Sequence, residues 1–174
     1  MTDSPSTVDR AGPLSALDDR LDGLVGLAAL VVLVNVAGAV PALLGGPSSA
    51  WFEALTKPAL YPPPWLFGVV WTALFTLSGA AVWLVVRAEP SGARRLAFAA
   101  FVVQFVFNVA WTPTFFAFQE IAAALGVIVA LAVLLAGTVG AFARVDRRAA
   151  ALLVPYLAWV CFAAVLNYRF LVLN

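Results

Sequence analysis

The side chains best suited to recognising something in this chain are tryptophans and carboxamides, and they fall at helical spacings. Gln104, Asn108 and Trp111 are separated by four and three residues, which puts them on one face of a helix. Tyr156, Trp159, Ala163 and Asn167 fall within about 80° of one another on a helical wheel. Gly68, Trp71, Thr72, Phe75 and Gly79 make a third stripe. Indoles and phenyl rings stack on flat molecules, amides reach a polar edge, and glycines leave room for a close approach. Interhelical hydrogen bonding and close packing would use the same residues, so spacing alone leaves both roles open.

What is missing narrows the chemistry further. The sequence has no histidine, which removes His-ligated haem, His metal sites, Ser-His-Asp hydrolysis and histidine proton relays together. The single cysteine, Cys161, allows neither an internal disulfide nor a cysteine zinc site and reads as a small buried hydrophobe. No ordinary acid–base pair lies in the apolar segments. Net charge is +1, with no basic patch interleaved with aromatics, so nucleic-acid binding is excluded.

The elements that must hold these residues are membrane helices. Of 174 residues, 64% are hydrophobic and only 11% charged, against about 25% charged in a soluble domain. With a mean hydropathy of +1.01, the chain lacks the polar surface to cover a globule in water. The pattern predicts an all-α integral membrane bundle of five transmembrane helices, residues 23–174, behind a polar flexible tail, residues 1–22. The helices are placed at about 23–44, 64–87, 93–113, 121–143 and 149–172, from apolar length, prolines and charged turns. Asn35 is the one strongly polar residue of the first and reads mainly as interhelical glue. Pro113 should kink or end the third helix beside Trp111. The fourth, with small residues at Ala122, Gly126 and Ala130 and at Ala132, Ala136 and Gly140, reads as a packing or dimer-forming helix.

Between the first two helices runs a segment dense in proline and tryptophan. Trp51, Pro58, Pro62, Pro63, Pro64 and Trp65 preset a stiff, non-helical loop that leads into the second helix, as a lid over a cavity would. Lys57 is its only positive charge, either a partner for acidic groups at a cavity mouth or a solvated interfacial charge. Most other cations, Arg87, Arg94, Arg95, Arg144, Arg147 and Arg148, fall in the opposite turns. The positive-inside rule then puts the N-terminus inside, with the lid and the C-terminus outside.

Several motifs, in order, resemble the tryptophan-rich sensory protein and translocator protein family, also called peripheral-type benzodiazepine receptors. They are W-F-E-A-L-T-K-P at residues 51–58, P-P-P-W-L-F-G-V-V-W-T at 62–72, F-N-V-A-W-T-P at 107–113, L-V-P-Y-L-A-W-V-C-F-A at 153–163 and L-N-Y at 166–168. The resemblance implies a five-helix bundle, commonly a homodimer, whose loop covers an internal pocket for porphyrins, benzodiazepine-type ligands and, in some members, sterols. It carries ligand-binding roles onto Trp51, Trp71, Asn108, Trp111, Trp159 and Ala163. Together with the helical faces, the expected ligand-binding set is Trp51, Phe52, Trp71, Phe75, Gln104, Asn108, Trp111, Tyr156, Trp159, Ala163 and Asn167. No cofactor or metal is required; protoporphyrin or haem is a possible ligand, and lipid surrounds the bundle.

Two departures matter. Phe52 stands where many members carry tyrosine, which removes a hydroxyl. Tyr168 and Arg169 are adjacent, without the spacer of the sterol-recognition pattern, which puts sterol binding in doubt. The leading function is a membrane sensor or carrier of tetrapyrroles. The alternative is light- and oxygen-dependent porphyrin degradation through oxidisable Trp71 and Trp159. Ion-coupled transport is disfavoured, because mid-membrane ionisable residues are nearly absent. A purely structural role has only the fourth helix in its favour.

Overall fold

The structure is a computed structural model that describes residues 13–174, with side chains from Leu21 onward. Within them are six helices and no strand: α1 (Pro13–Ala39), α2 (Ala50–Ala54), α3 (Pro64–Arg87), α4 (Gly92–Thr112), α5 (Ile121–Ala143) and α6 (Arg147–Leu173). All but α2 are long and apolar enough to cross a bilayer. Helices suit that solvent because each satisfies its own backbone polar groups. The chain is therefore an all-α, five-span bundle with the lid segment between its first two spans.

Local chemistry sets most helix ends. Pro64 opens α3, where the missing N–H costs nothing. The Ser91 hydroxyl accepts from the Arg94 amide at 3.1 Å and caps α4, while Asp146 caps α6 by accepting from the Arg148 and Ala149 amides. Two segments differ from the sequence expectation. The first helix begins at Pro13, well before Gly23, so part of the stretch read as flexible tail is helical; residues 1–12 lie outside those described. Trp51 and Phe52 sit on the short helix α2 and not on extended loop. Ser49, four residues before Glu53, is the helix-start signal there, its hydroxyl accepting from the Phe52 amide at 3.3 Å.

In cross-section the spans run α1, α3, α6, α5, α4, and the ring closes weakly where α1 meets α4. The main core lies between α3, α4, α5 and α6, with Tyr156, Phe142, Leu153 and Val85 wholly enclosed. Lipid tails are as apolar as these side chains, so close packing and internal hydrogen bonds hold the spans together. Gly79 shows the principle. A Cβ there would lie 2.6 Å from the Val31 Cα, so only glycine lets α1 and α3 touch backbone to backbone. On α5, Ala122, Gly126, Ala136 and Gly140 face outward instead.

Candidate functional site

The α1 helix loses its regular form at Pro41, which cannot donate the next ladder bond. Val40–Leu43 tighten into a 3-10 turn with Pro41 buried, and Gly45–Gly46 follow. Gly45 comes close to the end of α4: a Cβ on it would meet the Phe116 Cβ at 3.2 Å and the Ala117 amide at 3.3 Å. The end of α4 is itself unusual. Pro113 ends the regular α-helix at Thr112, as expected, but the chain stays helical: Pro113–Ala117 continues as a π-turn, with the Phe118 amide donating to the Pro113 carbonyl at 2.9 Å. The wider turn brings both Phe115 and Phe116 under the lid.

The lid is a packed aromatic cluster. Phe52 is 3% exposed, and its ring meets Phe116 at 5.2 Å, Phe170 at 5.5 Å, Tyr61 at 5.8 Å and Phe115 at 6.2 Å between centroids. Two polar clasps complete it. The Lys57 ammonium donates to the carbonyls of Phe52, Glu53 and Leu55 and sits 4.3 Å over the Phe52 ring. Lys57 thus caps the C-terminal carbonyls of α2 and is committed to the lid rather than to the cavity mouth. Asn174 pairs with Thr56 in both directions: the Thr56 amide donates to its Oδ1 at 2.8 Å, and its Nδ2 donates to the Thr56 carbonyl at 3.3 Å. Burial raises the Tyr61 phenol above its ordinary value, so it stays neutral in the lid.

Beneath lies a cavity of about 380 Å³, within the size range of small-molecule sites. Of the sequence-predicted residues, Phe52, Trp71, Phe75, Asn108, Trp111, Trp159, Ala163 and Asn167 line it. Trp51, Gln104 and Tyr156 do not. Trp51 packs edge-on to Phe115 at 5.8 Å and braces the lid from outside. Gln104 and Tyr156 are fully buried below the floor, where the Tyr156 hydroxyl donates to Gln104 Oε1 at 3.2 Å. Asn108, one turn on from Gln104, lies beside the same phenol. A helical wheel cannot separate these depths, because floor and cavity share one face.

The polar groups in the wall differ in how free they are. Trp111 Nε1 donates to Asn167 Oδ1 at 3.0 Å, and Asn167 Nδ2 donates to the Ile121 carbonyl at 2.9 Å. That relay ties α4, α5 and α6 together, so both residues shape the wall with their hydrogen bonds already spent. Trp159 Nε1 is buried and has no partner among the described residues. Neither cysteine nor histidine lines the cavity, and among the described residues no group of His, Cys, Asp or Glu could hold a metal. Cys161, read as buried, is exposed on the outer face of α6.

Much of the remaining lining was not singled out from sequence. Gly38, Ala39, Ala42, Gly45 and Gly46 enter because α1 changes course at Pro41, and Phe115, Phe116 and Phe170 enter through the π-turn and the lid. Proline and glycine signals mark both places. Asn35 lines the cavity and is also the expected glue, donating to the Val31 carbonyl at 2.9 Å and to Thr76 Oγ1 at 3.2 Å. The stripe on α3 divides: Gly68, Trp71, Thr72 and Phe75 face the cavity, whereas Gly79 faces α1.

Residues 28–173 match the sequence pattern of the TspO/MBR family. The chain is 40% identical over 124 residues to the tryptophan-rich sensory protein of Cereibacter sphaeroides, covering 71% of this chain and 77% of that one. It is likewise 40% identical over 129 residues to the tryptophan-rich protein TspO of Chlorobaculum tepidum, covering 74% and 82% of the two chains. With the translocator protein of Homo sapiens it shares 35% over 126 residues, 71% and 74% of the two. Carried by a match that spans all five membrane helices, this chain belongs to the TspO/MBR family.

Proposed function

We propose that this protein is a membrane receptor or carrier for porphyrins and similar flat hydrophobic molecules, bound in the cavity beneath the lid. The observation that carries the reading is the wall itself: Trp71, Phe75, Trp111 and Trp159 line one mostly apolar cavity beneath the lid. Rings supply stacking, and the fastened lid excludes water. The names of the relatives, sensory and translocator proteins, fit such a role. Haem fits as a flat ring rather than by His ligation, since the sequence has no histidine.

Titrating the purified protein with protoporphyrin in the dark is expected to quench tryptophan fluorescence saturably, and Trp159→Phe should weaken binding. Linear, unsaturable quenching would remove the proposal. The second reading, light-dependent degradation, is favoured by two oxidisable indoles, Trp71 and Trp159, on one cavity wall. It requires that bound porphyrin absorption fall under light and oxygen, and that Trp71→Phe and Trp159→Phe slow the loss. The arginine count favours the lid and C-terminus outside. The outward small residues of α5 favour a homodimer contact, which mass measurement in detergent would test.

A further inference from the structure

The cavity is closed unevenly. Its lining residues on α4, α5, α6 and the π-turn, such as Asn108, Phe115, Ala163 and Phe170, are all buried or half-buried. Its exposed lining residues fall on one seam: Ala39 and Ala42 at the end of α1, Pro47 after it, and Pro64, Gly68 and Thr72 on α3. These are small or ring-closed side chains. A Cβ on Gly68 would meet nothing within 4 Å, so α3 leaves open space at this point of the rim. The hydroxyl of Thr72 is spent on the Gly68 carbonyl at 2.8 Å, which leaves the rim without a free polar group to repel an apolar molecule.

Depth and surroundings say what the seam faces. Gly68 and Thr72 lie about 6 and 12 Å along α3 from its start, inside the lid-side leaflet. Val40, Leu43 and Val69 flank the gap and are 51%, 84% and 59% exposed, a surface suited to acyl chains and not to water. Deeper in the membrane the seam is shut by Asn35 on Thr76 and by the Gly79–Val31 contact. Toward water the lid is shut by Phe52, Lys57 and Asn174.

We infer that ligands exchange between the cavity and the lid-side leaflet sideways, through the α1–α3 seam, while the lid remains fastened. This rests on the proposed binding of flat hydrophobic molecules, which partition into bilayers before they meet the protein. The lid then serves as a roof that keeps water out, and the seam is the doorway.

The test uses the full chain in lipid nanodiscs, with protoporphyrin as the probe and stopped-flow tryptophan quenching as the readout. Filling the seam with Gly68→Leu and Ala39→Leu is expected to slow association and dissociation together by about tenfold, because a raised barrier acts in both directions. Mere loss of a binding contact would instead speed dissociation. Releasing both polar clasps of the lid together, with Lys57→Ala and Asn174→Ala, should leave both rates as they are. Rates that ignore the filled seam but rise when both clasps are released would overturn the inference. A second measurement needs no bound ligand. In a Cys161→Ala background, the thiol of Ala163→Cys, facing the cavity, should react with a lipid-partitioning maleimide, escape a charged thiosulfonate, and be protected by the filled seam. Equal labelling by the charged reagent would place the doorway on the water side. Absence of saturable protoporphyrin binding in the unmodified protein would count against the proposed ligand alone, and the labelling result would still decide the route.

Discussion

The two boundaries of the cavity are built by opposite means. The roof joins elements distant in sequence, α2, the π-turn after α4 and the end of α6, through large interlocking rings and the Asn174–Thr56 clasp, while Lys57 fastens α2 to its own following loop. The α1–α3 side joins two consecutive spans through absent side chains: Gly79 and Gly38 admit a neighbour, and Gly68 leaves a gap. Apolar burial stabilises a roof that borders water, but it contributes little between helices already in hydrocarbon, where shape decides. A boundary made of bulk resists opening; one made of missing bulk opens wherever the match between helices ends.

The largest effect expected from breaking this contrast is at Phe52. Phe52→Ala removes the ring at the centre of the roof and should cost about 3–5 kcal/mol locally, read as much faster amide exchange across α2 with the bundle core unchanged. If the core unfolds with it, roof and bundle are one unit and the contrast fails. Next comes Gly79→Ala, whose methyl meets backbone that cannot turn aside. A loss of about 1–3 kcal/mol in thermal unfolding is expected, with the roof's exchange pattern unaltered. Trp111→Phe leaves Asn167 Oδ1 without its donor and should lower stability by about 1–2 kcal/mol, measured by unfolding in detergent. Asn174→Ala is the smallest, about 1 kcal/mol or less for an exposed amide pair, detectable as faster exchange of the Thr56 amide alone.

Five spans and half of the cavity's aromatic lining were legible in the sequence, because long apolar runs and periodic rings report helix and face. Depth along a face was not legible. Gln104 and Asn108 share a stripe, yet one lies under the floor and the other in the wall. The clasps were also hidden. Asn174 and Thr56 are far apart in sequence, and Lys57 finds its partners among backbone carbonyls, which carry no sequence signature. Nor did Pro113 announce a π-turn in place of a stop, since the outcome depends on what Phe115 and Phe116 can pack against.

The backbone contact of Gly79 with Val31 has a mechanical consequence. Below it, α1 rests on Trp83, whose indole lies within 4 Å of where Cβ atoms on Gly23 and Gly26 would stand. Beyond it, the helix is held by the buried Val34, the Asn35–Thr76 bond and the Gly38–Phe75 contact, and the turn that follows packs Pro41 inward and Gly45 against Phe116 and Ala117. That makes α1 a beam supported at both ends, with its short span past Gly38 bordering the gap. A change in bilayer thickness is expected to load that span and so to alter the rate of exchange through the gap, which protoporphyrin kinetics in nanodiscs of different acyl-chain length would measure.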